Sequence, residues 1–207
     1  MEQGLPYLDG KRWLDITRDE RFFCAELYHE LKTKEKLEAV LDQIEKALKP
    51  DAVLDRTGPW ELGFEVVFYR DVVHAFGKRD RKCNREGGFS RKRTFDLCLF
   101  SPGQMIIIEA KVHQGLKSDQ LTSFLSDREC ASELVDLDRS KILLVGLWSS
   151  RYSKDMEGSR DPRVHEFHAK VKVGFDAILH WNDLGFEGPR FDEGRNLFKA
   201  ADDLYGK

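Results

Sequence analysis

The stretch "TFDLCLFSPGQMIIIEAK", residues 94–111, decides how the chain is read. It is apolar enough for a buried pair of strands, yet it carries Asp96, Glu109 and Lys111. Burying an unpaired charge costs several kcal/mol or forces the group neutral. Three charges in such a run therefore point to a site. "SPGQ" divides the run: Pro102 fixes its own φ and Gly103 is free to take a positive one, a strong turn signal. The flanks, 94–100 and 105–111, are then antiparallel neighbours. With the loop symmetric about Pro102 and Gly103, paired residue numbers sum to 205, so Phe100 faces Met105, Cys98 faces Ile107 and Asp96 faces Glu109. Opposed residues hold their Cβ atoms about 4.5–5.5 Å apart. Lys111 follows Glu109 by two and shares its face. The other face is apolar through Phe95, Leu97, Leu99, Ile106, Ile108 and Ala110. Cys98, Phe100, Met105 and Ile107 make much of the charged face apolar too, as in central strands covered on both sides.

Two carboxylates side by side in a dry place repel, and one pKa rises unless a cation sits between them. Hard oxygen ligands suit Mg²⁺ or Mn²⁺. Such an ion polarises a phosphate oxygen and lowers the pKa of a bound water. Lys111 is placed to orient that water or to stabilise charge developing on the phosphate. The bland alternative is a buried salt bridge of Lys111 with Glu109 or Asp96.

The 207 residues fit one domain, here taken as 1–207 with a core over roughly 17–185 and a closing helix over 190–205. A chain 41% hydrophobic and 34% charged is globular rather than disordered. Apolar runs of only a few residues give no membrane span, and "MEQGLPYLDGKRW" has no leader pattern. Cys24, Cys83, Cys98 and Cys130 form no CxxC pair, which reads as reduced thiols in a cytoplasmic protein. Net charge is −3, but residues 74–93 hold eight basic against two acidic residues. That segment is +6, which leaves −9 for the rest. A basic loop on an acidic body is a patch that phosphates attract, or else a solvated loop.

Thr17 opens "TRDE", a capping box with Glu20 at the third helical position. An amphipathic helix follows over roughly 18–32, with Phe23, Cys24, Leu27 and Leu31 on one face. A second runs from Leu37 to Leu48, before Pro50. Residues 63–72, "GFEVVFYRDV", read as a strand. Residues 118–137 read as a helix with Ser118 as cap, 141–148 as a strand and 149–162 as a surface loop. A short helix starts at Pro162, "DAILHWNDL" is a last strand, and "EGRNLFKAADDLY" a closing helix. The order favours an α/β protein, a three-layer α/β/α arrangement around a central mixed sheet.

With an acid on one strand and (D/E)xK on the next strand of a hairpin, the stretch resembles the PD-(D/E)xK nuclease superfamily. Asp96 matches the first acid, Glu109 the second and Lys111 the lysine, within "IIIEAK"; Phe95 stands where the family name has Pro. The resemblance covers roughly 17–148, with "AILHWNDL" a further candidate strand, and implies a restriction-endonuclease-like fold. It implies hydrolysis of phosphodiester bonds with Mg²⁺ or Mn²⁺ held by Asp96 and Glu109. In many members an N-terminal helix adds a glutamate. Of Glu20, Glu26 and Glu30, Glu20 falls mid-way between Leu27 and Leu31 on the apolar face, Glu30 at its edge and Glu26 further out. Some members, the RecB-like nucleases among them, carry QxxxY on the helix after the lysine; Gln120 and Phe124 match that spacing with Phe for Tyr. Gln120 there serves a phosphate or the metal's surroundings, or is a surface residue at a helix start. Arg91, Lys92 and Arg93, with Lys82 and Arg85 earlier in the loop, would guide a nucleic-acid backbone without reading its sequence. The implied partner is DNA, with RNA second, and many members act as homodimers. The alternative is a non-catalytic nucleic-acid-binding or protein-interaction module with a nuclease fold.

Other signals carry less. His165 and His168, three apart on a helix, lack the further ligands of a zinc site and read as surface residues. Trp148 and Trp181 read as core. No P-loop, GxGxxG or GxSxG is present.

Overall fold

A computed structural model describes residues 19–76, 92–191 and 195–206. The protein is α/β, with a five-stranded mixed sheet in the order β1-β2-β3-β4-β5. Its elements are α1 (Glu20–Leu31), α2 (Lys34–Ala47), β1 (Glu61–Val66), α3 (Phe68–Ala75), β2 (Phe95–Phe100) and β3 (Met105–Ala110). Next come α4 (Ser118–Val135), β4 (Ile142–Trp148), α5 (Ser150–Gly158), α6 (Pro162–Gly174) and β5 (Ala177–His180). A two-stranded ribbon, β6 (Arg190–Phe191) with β7 (Arg195–Asn196), leads into α7 (Leu197–Asp203), so the closing helix expected over 190–205 is shorter and begins only after its Asn196 cap.

β1, β2 and β3 form an antiparallel meander, and β3, β4 and β5 run parallel. The β2–β3 pairs are Leu97–Ile108, Cys98–Ile107, Leu99–Ile106 and Phe100–Met105. Their numbers sum to 205 as the turn chemistry requires; the paired register ends at Leu97–Ile108, and Asp96 instead meets β3 through its side chain, which accepts the Ala110 N–H. The turn differs in one respect. Gly103 does not adopt a positive φ; among the described residues the glycines that do are Gly185 and Gly206. A four-residue connection closed by Ser101 N–H donating to Gln104 O at 2.9 Å needs no left-handed residue.

Helices cover both faces. One core joins Phe23, Leu27 and Leu31 of α1, Leu41 and Ile44 of α2 and Phe198 of α7 to Leu97, Ile106, Ile108 and Val145. Each such side chain, fully buried, stabilises the fold by about 1.5–3 kcal/mol. The opposite core joins Tyr69, Phe124, Tyr152 and Val171 to Cys98, Ile107 and Leu144. β3 and β4 are buried along their whole length, which explains their unbroken apolar runs. Trp148 and Trp181 are core residues.

Several sequence expectations are corrected. Residues 63–72 are not one strand. β1 ends at Val66 and α3 begins at Phe68, placing Phe68 and Tyr69 against Phe95 at 6.1 and 5.7 Å. Phe95 accordingly joins that second core rather than the face of Leu97 and Leu99, because its partner Val66 adjoins the start of α3. The loop expected over 149–162 contains α5, capped by Ser149 and anchored by buried Tyr152 and Met156 one turn apart. α4 is capped at Lys117, with Ser118 its first residue. His168 is buried, while His165 is exposed. Cys24, Cys98 and Cys130 are free thiols; Cys83 lies outside the described residues. Among the described residues no helix is long and apolar enough to cross a membrane.

Candidate active site

The hairpin and α1 bring the charged residues together at the carboxyl end of β3. Lys111 is held through its backbone: its N–H donates to Leu147 O at 2.8 Å, extending the β3–β4 ladder, and its carbonyl accepts from Trp181 Nε1 at 2.9 Å. Lys111 is 5% exposed. Its Nζ donates to Glu109 Oε1 at 2.9 Å, Ala110 O at 2.7 Å and Glu20 Oε1 at 3.3 Å. A buried ammonium persists because oxygens surround it. Burial works against its charge, but Glu109, Glu20 and Asp96 outweigh burial and push its pKa up to about 12.

Asp96 accepts the Ala110 N–H at 2.8 Å through Oδ2. Burial first, and then the charge of Glu109, push its pKa up to about 7, against the pull of Lys111 and the Ala110 N–H. Glu20 lies at the start of α1. Burial raises its pKa, and Lys111 offsets part of the rise. Its placement differs from the capping box expected with Thr17, which lies outside the described residues. Asp19 is the N-cap, its side chain accepting the Arg21 N–H at 3.1 Å. Glu20 is thus the first helical residue, and its carboxylate is turned to Lys111. Of the other two glutamates considered, Glu30 pairs with Lys36.

Glu109 is 5% exposed and divides its oxygens between two cations. Oε1 takes Lys111, and Oε2 accepts from an Arg93 terminal nitrogen at 3.4 Å. Arg93 also donates Nε to Asp127 Oδ2 at 2.9 Å, and Tyr69 Oη donates to Asp127 Oδ1 at 2.6 Å. Asp127, on α4, is 4% exposed. Sequence reasoning missed Asp127 and Tyr69. A signal existed: Asp127 interrupts the apolar stripe of Leu121, Phe124, Ala131 and Leu134, all buried on α4.

Arg93 is therefore enclosed by carboxylates, with its side chain 22% exposed, and Lys92 is exposed beside it. Lys82, Arg85 and Arg91 lie outside the described residues. Gln120 lines the cavity next to Lys111 and accepts the Lys117 N–H at 3.2 Å, which caps α4. Phe124 points elsewhere: it is fully buried and stacks on Phe175 at 4.9 Å.

A cavity of about 260 Å³ is walled by Glu20, Lys111, His113, Gly115, Lys117 and Gln120; of the charged cluster it reaches Glu20 and Lys111, while Asp96 and Glu109 lie behind its lining. Tyr152 holds this wall by donating to Leu116 O at 3.3 Å and accepting the Leu116 N–H at 3.1 Å. Among the described residues no three acidic, histidine or cysteine side chains already converge as a metal cage; Lys111 Nζ bridges Glu20 and Glu109 instead. The donor chemistry nonetheless fits a hard divalent cation. Among the described residues, Glu20, Asp96, Glu109 and Asp127 face Lys111 and Arg93, an excess of two formal negative charges in a mostly buried cluster. The donors within it are oxygens, the class that Mg²⁺ and Mn²⁺ prefer. No protein-family model, curated protein or solved structure matches the chain.

Proposed function

We propose that this chain is a metal-dependent nuclease of the PD-(D/E)xK kind, hydrolysing phosphodiester bonds, with DNA as substrate. The observation that carries the reading is the excess of carboxylates among the described residues at the end of β3, where Asp96 is pushed up to about 7 beside Glu109. Asp96 and Glu109, with Glu20, would hold Mg²⁺ or Mn²⁺. The ion would supply a polarised phosphate oxygen and an activated water. Lys111, fixed through its backbone on both sides, is the buried cation at the cavity wall. Its role is to orient the attacking water or stabilise charge on the phosphate. Lys117, exposed on the same wall, offers a backbone-phosphate contact. The restriction-endonuclease-like reading of the fold rests on the two acids and the lysine meeting on one hairpin, with a helix before and after. A cytoplasmic location fits the free thiols; a homodimer would provide the two sites that double-strand cleavage needs.

The test is a cleavage assay on mixed substrates, single- and double-stranded DNA and RNA, with Mg²⁺ or Mn²⁺. Wild type cuts and Lys111→Ala and Asp96→Ala do not, while both variants keep the wild-type circular dichroism spectrum. A wild type that cuts nothing with either ion, and binds neither, defeats the proposal. One observation favours a second reading, a nuclease-fold module without turnover: all three Lys111 ammonium hydrogens already have oxygen partners. That module would bind DNA equally well as wild type and as Asp96→Asn.

A further inference from the structure

Behind the hairpin acids lies a second set of polar groups, outside the PD-(D/E)xK motif. Tyr69, Asp127, Arg93, Glu109, Lys111 and Glu20 form one continuous hydrogen-bonded chain. It runs from α3 and α4 on one face, past the end of β3, to α1 on the other. We infer that Asp127 and Tyr69 are positioning residues: they aim Arg93, and Arg93 sets the orientation of Glu109 toward the cation site.

The geometry makes this more than a buried ion pair. Both Asp127 oxygens are engaged, Oδ1 by Tyr69 Oη at 2.6 Å and Oδ2 by Arg93 Nε at 2.9 Å, so the carboxylate has no freedom to rotate. Guanidinium is planar, and fixing its Nε fixes the direction of its terminal nitrogens. One of these reaches Glu109 Oε2 at 3.4 Å. The guanidinium carbon lies over the Phe95 ring, 5.6 Å from its centre, a cation–π contact. Arg93 holds one Glu109 oxygen and Lys111 the other. Loss of the Arg93 grip leaves Lys111 as the one cation holding Glu109 among the described residues, free to draw the carboxylate toward itself. Outer groups that orient a ligand carboxylate typically contribute 10- to 100-fold to metal affinity or activity.

This inference rests on the nuclease reading for its metal-binding consequence, but the orientation of Glu109 can be read without metal. Protein labelled with ¹³C at glutamate carboxyls gives a Glu109 signal, identified by its loss in Glu109→Gln. At fixed pH and without metal, Asp127→Asn shifts that signal, and Tyr69→Phe shifts it less in the same direction. In calorimetry with Mn²⁺, Asp127→Asn weakens binding about 10- to 100-fold, and adding Arg93→Lys weakens it little further, since both act through one contact. An unchanged Glu109 signal in Asp127→Asn, with only the urea midpoint lowered, overturns the inference and leaves a structural tie. Should Asp127→Asn fail to fold, an unchanged signal in Tyr69→Phe overturns it equally. A wild type that takes no Mn²⁺ and cuts nothing defeats the nuclease reading alone, and the carboxyl signal still decides the positioning role.

Discussion

Replacing Asp96 by Asn should change how stability depends on pH, in a direction opposite to that of an ordinary paired carboxylate. The Asp96 carboxyl rises from 3.8 to about 7 on folding, through burial and the neighbouring Glu109 charge. Below pH 3.8 it is protonated in both states and folding is not penalised. Between 3.8 and about 7 the unfolded chain has lost the proton while the folded protein keeps it, so stability falls as pH rises. Above 7 the full penalty applies. At 1.36 kcal/mol per pKa unit, the rise amounts to a loss on the order of 4 kcal/mol. Urea denaturation of metal-free protein at pH 4, 5, 6, 7 and 8 measures it. Asp96→Asn should gain on wild type steadily across that range and level off above 7. Saturating Mg²⁺ should flatten the wild-type slope, because a bound cation favours the ionised carboxylate. A difference between wild type and Asp96→Asn that stays constant from pH 4 to 8 would refute the electrostatic account of the site.

Three further outcomes follow from the same contacts. Lys111→Met leaves Glu109 buried without its nearest cation and should cost about 3–5 kcal/mol in urea denaturation, with cleavage lost as well. Replacing Asp96, Glu109 and Lys111 together by Leu, Leu and Met halves the charge excess, leaving Glu20 and Asp127 with Arg93; stability should match wild type or rise by about 1–4 kcal/mol, and a large loss would count against it. Gly115→Ala puts a Cβ 2.3 Å from the Tyr152 ring, so the ring that holds Leu116 must shift; thermal unfolding should show a loss of about 1–3 kcal/mol.

How far the sequence discloses this arrangement depends on the range of the forces involved. The β2–β3 register is legible because it follows from one turn and the alternation of side chains, both local. The pairing of Leu97 with Ile108 bears it out. Glu20 is found through helical geometry, although the capping box assigns it a different job: the cap is Asp19, which frees the Glu20 carboxylate for Lys111. α3 is not legible. "FYRDVVHA" is rich in aromatic and β-branched residues and reads as strand, and only packing of Phe68 and Tyr69 on Phe95 decides for helix. α5 is hidden by its polar surface, with just Tyr152 and Met156 turned inward. The reach of Asp127 to Arg93 spans 34 positions and no local pattern encodes it. The charge on an otherwise apolar stripe of α4 is the one trace it leaves in the sequence.

Titration of metal-free protein with Mn²⁺ in a calorimeter, wild type against Asp96→Ala, bears most directly on whether this hairpin grips a divalent ion. Wild type should give a saturable isotherm with proton release near neutral pH as Asp96 ionises, and Asp96→Ala should give none. Featureless heats from wild type, or isotherms that coincide for the two proteins, would contradict the account.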